Sequence, residues 1–153
     1  MNQRGDFVKK LSEKIISGIK PFCKKIEVAG SIRRKEKHLR DIDIVLIPRN
    51  KEKIFRYLNK NGKFIQGGEK RISFNIKGIK VELYFTTPQS WGATLLAYSS
   101  RKGSAIGLRI IARTKGFKLN QYGLYKKGKL VAGRTEEEIY KTLGRKFKPP
   151  EER

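Results

Sequence analysis

Two aspartates one residue apart, Asp41 and Asp43, open the most hydrophobic run of the chain, D41-I-D-I-V-L-I47. On a strand, residues i and i+2 share a face, so these carboxylates project together while Ile42 and Ile44 enter the core. Two carboxylates this close repel each other unless positive charge sits between them. Two readings fit. The pair supplies hard oxygen ligands for Mg²⁺ or Mn²⁺ and bridges two ions, or it is a solvated strand start paired with Arg33, Arg34 or Arg40. Upstream stands G30-S-I-R-R34. A Gly30-Ser31 turn after a strand presents N–H groups and a hydroxyl to a phosphate, and Arg34 adds a bidentate charge. Downstream, Glu82 alternates against Val81, Leu83 and Phe85. It is a third carboxylate if its strand lies beside that of Asp43, and otherwise a surface residue paired with Lys80.

These side chains need a sheet to hold them. The sequence predicts a first helix capped by Asp6, with Phe7, Leu11, Ile15 and Ile19 on one face, ending at Pro21. Lys24 to Gly30 reads as a strand and Asp41 to Ile47 as a second. Asn50 caps a short helix through Lys60, with Ile54 and Leu58 inward, and Asn61-Gly62 is a turn. Arg71 to Phe85 alternates as a hairpin about Lys77-Gly78. After Pro88 helices return, from Ser90 through Tyr98 and from about Lys102 to Lys115, with Gly116 as a stop. On the second of these, Lys102, Arg109 and Arg113 form one basic stripe, while Ala105, Leu108, Ile111 and Ala112 face elsewhere. A small hairpin turns at Lys127-Gly128, and Thr135 opens a last helix that buries Ile139 and Leu143 and stops at Gly144. The layout is α+β: a mixed sheet with helices, then a smaller α/β lobe.

Composition narrows the partners. The 153 residues hold 37 Lys and Arg against 14 Asp and Glu, a net charge of +23. Residues 1–85 hold 22 basic and 9 acidic side chains and residues 86–153 hold 15 and 5, so no single tail carries the excess. A folded domain with that field attracts polyanions and repels its own copies, which points to nucleic acid and to a monomer. A membrane-surface or ribosome-associated protein is the other class this charge allows. No apolar stretch is long enough to span a membrane and no secretory h-region follows Met1. The single Cys23 fits a reducing, intracellular setting, cytoplasmic, nucleoid or nuclear, as a buried apolar filler. His38 reads as a solvated loop residue.

Taken together, Gly30-Ser31, Arg34 and Asp41-x-Asp43 resemble the nucleotidyltransferase signature in the spacing of family X DNA polymerases. G67-G-E-K-R-I-S-F74 and K80-V-E-L83 resemble that family's hairpin leading to the third metal-binding carboxylate. G107-L-R-I-I-A-R-T-K-G-F-K-L-N-Q-Y-G-L124, T135-E-E-E-I-Y-K-T-L-G144 and P149-P-E-E-R153 resemble its thumb. The resemblance implies a nucleotidyltransferase-type palm over residues 1–86 and a thumb over 87–153, without the lyase and fingers regions of many members. Asp41, Asp43 and Glu82 then hold two Mg²⁺ or Mn²⁺ ions, and Gly30, Ser31 and Arg34 hold the β- and γ-phosphates. Asn120 and Tyr122 occupy the N-x-Y motif near the nascent pair. Lys102, Arg109 and Arg113 bind DNA, with Arg109 toward the template. Two departures stand out. Glu82 replaces the usual Asp, and Ala97-Tyr98-Ser99-Ser100 replaces an aromatic pair followed by Thr-Gly, leaving Tyr98 as the candidate against the nucleotide sugar, with Ser99 beside it among the nucleotide-binding residues. The reaction implied is DNA-templated addition of a dNTP to a primer 3′-OH in short gaps. A template-independent nucleotidyltransferase and a non-catalytic nucleic-acid-binding relative are the alternatives.

Overall fold

The computed structural model describes residues 2–153 and divides into two compact units, Met1–Phe85 and Thr86–Arg153. In the first, helix α1 (Gln3–Ile19) is capped by Asn2, whose side-chain oxygen accepts the Gly5 N–H at 2.7 Å. Asp6, the expected cap, lies inside the first turn and pairs with Lys10 instead. The buried stripe is Val8, Leu11, Ile15 and Ile19, and Phe7 is exposed because it points one helical step away from that stripe.

Five strands follow: β1 (Cys23–Val28), β2 (Ile42–Pro48), β3 (Lys63–Gly67), β4 (Arg71–Ile76) and β5 (Ile79–Phe85). Their order is β1-β2-β5-β4-β3, with β2 and β5 parallel and the other pairs antiparallel, so the sheet is mixed as expected. The one-turn helix α2 (Gly30–Arg33) follows β1, and α3 (Lys51–Asn61) follows β2, with Asn50 accepting the Lys53 N–H at 3.0 Å as its cap. One face of the sheet presents Ile42, Ile44, Leu46, Ile72, Phe74, Ile76, Val81 and Leu83 to the apolar sides of α1 and α3. Truncating a residue such as the fully buried Phe74 would cost about 3–5 kcal/mol. Period-2 alternation sends Asp43, Ser73, Lys80, Glu82 and Tyr84 to the opposite face. The Lys77-Gly78 turn has positive φ at both residues, which suits the twist of a tight hairpin.

In the second unit, α4 (Trp91–Tyr98), α5 (Lys102–Thr114) and α6 (Glu136–Thr142) accompany an antiparallel sheet of β6 (Lys118–Asn120), β7 (Gly123–Lys126) and β8 (Lys129–Ala132). Its core joins Ala93, Leu96, Ala112, Leu124, Ile139 and Leu143. Thr135 caps α6 by accepting the Glu138 N–H at 3.1 Å. Among the described residues no helix is long and apolar enough to cross a membrane.

Candidate active site

The parallel seam between β2 and β5 sets the site. Its register makes Ile42 and Val81 partners, then Asp43 and Glu82. Both acids therefore stand side by side on the face opposite the core, although thirty-eight residues separate them in sequence. On the far side of β5, Ser73 of β4 is the partner of Glu82, and Arg71 is the partner of Tyr84. The Tyr84 hydroxyl lies 3.0 Å from Asp43 Oδ1 and 3.0 Å from Glu82 Oε2. One hydroxyl proton serves one acceptor at a time, so this phenol ties the two carboxylates together without satisfying both.

The Gly30 turn closes on Asp43 from above. The Ala29 N–H donates to the Asp43 carbonyl at 2.7 Å, which fixes the end of β1 against the start of β2. Gly30 has φ +60, and a Cβ there would collide with the Asp43 carboxylate. Both the backbone and the neighbour thus require glycine. Ser31 is half-buried within α2. Arg34 donates to Glu36 at 3.1 Å, yet its Nε is buried without a hydrogen-bond partner. Arg33 turns away to Glu27, 3.4 Å distant.

Charge is distributed unevenly over this face. Burial pushes the Asp43 carboxyl above its ordinary range, and the charges of Glu82 and Asp41 add to the rise, against opposing help from Tyr84 and Arg34. Glu82 is only 4% exposed, and that burial raises it too. Hydrogen bonds from Lys80, at 2.8 Å on Oε1, and from Tyr84, with the nearby Arg71 guanidinium, outweigh burial and hold Glu82 below the usual glutamate range. The same contact with Glu82 raises Lys80. Burial and the two acids push the Tyr84 phenol far up, so it stays protonated and acts as a donor.

The sequence expects three carboxylates to converge on a pair of ions. The structure brings Asp43 and Glu82 together and leaves Asp41 exposed one residue before β2. Among the described residues, no three acidic, histidine or cysteine side chains stand close enough to hold an ion. The physical reason is local: Asp41 is exposed and precedes the register that pairs Asp43 with Glu82, and Arg71 and Lys80 occupy both oxygens of Glu82. The donor chemistry still suits a divalent cation, with hard oxygens adjacent across the seam. The buried, unpartnered Ser73 Oγ opposite Glu82 and Arg34 Nε near the turn leave polar groups for bound ligands to satisfy.

The other expected residues lie in the second unit. Lys102, Arg109 and Arg113 are exposed on one face of α5, together with Ile106 and Ile110, while Ala112 is buried on the other side. Arg109 and Asn120 line the same small cavity of roughly 20 Å³, beside Ser100. The Asn120 side-chain oxygen accepts the N–H groups of Tyr122 at 2.8 Å and Gly123 at 3.2 Å, so that oxygen shapes the turn between β6 and β7. Tyr122 and Tyr98 are half-buried. Ser99 is fully buried at the end of α4, and its Oγ has no hydrogen-bond partner.

Sequence reasoning missed Tyr84, Arg71 and Ser73. A signal existed for all three. Tyr84 is two residues from Glu82 on one strand. Counting outward from the two-residue Lys77-Gly78 turn pairs Ile76 with Ile79, Ser73 with Glu82 and Arg71 with Tyr84.

Comparison with known proteins adds an independent finding. The DNA polymerase beta thumb family matches residues 94–153. Repair DNA polymerase X of African swine fever virus (isolate Pig/Kenya/KEN-50/1950) is 31% identical over 149 residues, covering 88% of this chain and 84% of that protein. The protein of the same name from strain Badajoz 1971 Vero-adapted is 30% identical over 149 residues, with the same coverage.

Proposed function

The chain belongs to the family X DNA polymerases, and from that premise we propose that it extends a primer 3′-OH by one templated deoxynucleotide at a time in short gaps of duplex DNA. The observation that carries this reading is the pairing of Asp43 with Glu82 across β2 and β5, beside a glycine turn that only glycine can make.

Asp41, Asp43 and Glu82 are the residues to hold two divalent cations, Mg²⁺ or Mn²⁺. Such ions, when bound, lower the pKa of the attacking 3′-OH and offset charge on the leaving pyrophosphate. The chain's own groups do the rest. The Ser31 hydroxyl and the half-buried Arg34 guanidinium grip the β- and γ-phosphates, and fixed donors of this kind count for more where water is excluded. Tyr84, protonated throughout the working pH range, keeps Asp43 and Glu82 in register without taking a proton from either. In the second unit the exposed face of α5, with Lys102, Arg109 and Arg113, supplies backbone phosphate contacts. Asn120, Tyr98 and Ser99 are assigned to the nucleotide side by resemblance, Asn120 through the turn it shapes, and Tyr122 to the DNA. The +23 charge favours salt-sensitive binding to DNA by a monomer. Buried Cys23, whose thiol burial pushes up to about 11, suits an intracellular setting as an unreactive filler.

A primer-extension panel tests this reading. A gapped or recessed duplex should be extended opposite each template base, and Asp41→Ala and Asp43→Ala should each lower the rate about a thousandfold or more. Equal extension of single strands would move the protein to template-independent transfer. Full incorporation by the Asp43→Ala protein would remove the enzymatic reading altogether.

A further inference from the structure

Glu82 carries a feature that the polymerase reading does not use: both of its oxygens are already answered by cationic side chains. Lys80 reaches Oε1 at 2.8 Å, and the Arg71 guanidinium and the Tyr84 hydroxyl share Oε2. Arg71 comes from β4, where its backbone partner is Tyr84, so it reaches Glu82 along the diagonal of the strand pair while its guanidinium lies over the Tyr84 ring at 5.1 Å. The glutamate side chain is one methylene longer than aspartate, which carries its carboxylate toward that diagonal. For Asp43, its neighbour across the seam, the described residues show no such ion pair: the Tyr84 hydroxyl lies 3.0 Å from Oδ1, and Arg34 acts on it only through its charge.

We propose that Arg71 is a displaceable counter-cation for Glu82, competing with a divalent ion for that carboxylate. The proposal rests on the reading of Asp43 and Glu82 as metal ligands. An arriving ion meets one available carboxylate and one that is already neutralised, so gaining Glu82 as a ligand requires the guanidinium to leave. The side chain is placed to do so. The Arg71 side chain is 50% exposed whereas that of Glu82 is 6% exposed, so water can receive the arginine while the acid stays fixed. Lys80, its side chain 44% exposed, holds the other oxygen at 2.8 Å and is a second counter-cation. Arg71 therefore sets how tightly the free protein holds its ion, and it releases Glu82 only when the ion is present to replace it.

The test is Mn²⁺ binding to the whole chain without DNA, read from the electron paramagnetic resonance signal of free Mn²⁺. Arg71→Gln should bind Mn²⁺ roughly threefold to tenfold more tightly than the parent, the range expected from losing one partly exposed charged partner. Arg71→Ala should do the same, and Arg71→Lys should stay near the parent. The gain should vanish when Arg71→Gln is combined with Glu82→Gln, because the competition then has no object. Unchanged or weaker Mn²⁺ binding in both Arg71→Gln and Arg71→Ala would overturn the proposal, as would a gain that survives Glu82→Gln. Asp43→Asn separates the two layers. If it abolishes Mn²⁺ binding while the Arg71 variants do nothing, the counter-cation falls and the carboxylate site stands. If Asp43→Asn and Glu82→Gln both leave Mn²⁺ binding intact, the carboxylate site itself falls. Thermal unfolding of each variant in EDTA shows that the comparison is made between folded proteins.

Discussion

Each unit of the molecule buries one glutamate against an arginine, and the two pairs are built in opposite ways. Glu136 and Glu82 are both 4% exposed. In the second unit, Arg153 meets Glu136 at 2.5 Å with its own side chain fully buried. Its Nε donates to the Lys148 carbonyl at 2.9 Å, the Phe147 ring lies 5.4 Å away, and Arg101 donates to its carbonyl at 2.6 Å. The two charged side chains of that pair are both withdrawn from solvent. In the first unit the acid is equally buried, but Arg71 and Lys80 keep about half of their side-chain surface in solvent. A pair buried on both sides holds a fold. A buried acid with solvent-facing partners holds a charge in readiness.

That contrast is open to attack, and the largest effect should come from the second unit. Glu136→Ala leaves the Arg153 guanidinium buried and uncompensated, and should lower unfolding stability by about 3–5 kcal/mol in urea denaturation. Replacing both partners, Glu136→Met with Arg153→Leu, should recover most of that loss, since a buried pair exchanged for apolar side chains of similar volume is often neutral. The equivalent change in the first unit should be milder. Glu82→Gln should cost about 1 kcal/mol at neutral pH, because exposed partners return to water. Were it to match Glu136→Ala, the distinction between the two pairs would vanish.

The pH dependence sharpens the same comparison. Glu82 is held below its ordinary range in the folded protein, so its stabilising contribution is present above the usual glutamate pKa and is lost as pH falls through the depressed value. Thermal melts of the parent should show this acid-side loss, and Glu82→Gln should flatten it. Asp43 has the opposite sign. Its raised pKa means the charged form costs stability once pH climbs above the unfolded value, and protonation relieves that cost as pH falls. Asp43→Asn should therefore stabilise the protein at neutral pH by about 0.5–1 kcal/mol while removing activity, the smallest of these effects and the usual trade at a strained site. A destabilised Asp43→Asn protein would show that the Tyr84 hydrogen bond outweighs the desolvation.

Much of this site could be read from residue order alone, and the reasons are specific. The unbroken apolar run after Asp43 announced β2, and the alternation of apolar residues in β4 and β5 announced that hairpin and set Glu82 opposite Val81 and Leu83. The Lys77-Gly78 and Lys127-Gly128 turns declared themselves through residues that accept positive φ. Strand β3 did not, because it lies at the sheet edge with every side chain exposed, and burial is what writes alternation into a sequence. β6 is too short to show a period. The engagement of Glu82 by Arg71 was hidden for a different reason. The Lys77-Gly78 turn gives the hairpin register, but the engagement also depends on the diagonal reach of two long side chains, which local composition does not encode. The choice of Asn2 over Asp6 as cap turned on which residue lies just outside the first helical turn, a boundary that hydrophobic spacing fixes only to within a few positions.

The parallel seam has a consequence for how this molecule comes into being. A parallel neighbour cannot be reached by a tight turn, so the connection between β2 and β5 spans α3, β3 and β4. Closing so long a loop is slow relative to forming local helices and hairpins. The pairing of Asp43 with Glu82 is therefore expected to follow the local helices and hairpins, an order that folding kinetics of Asp43 and Glu82 variants would check. A half-made chain, already cationic enough to cling to polynucleotides, would have no chemistry to misapply there.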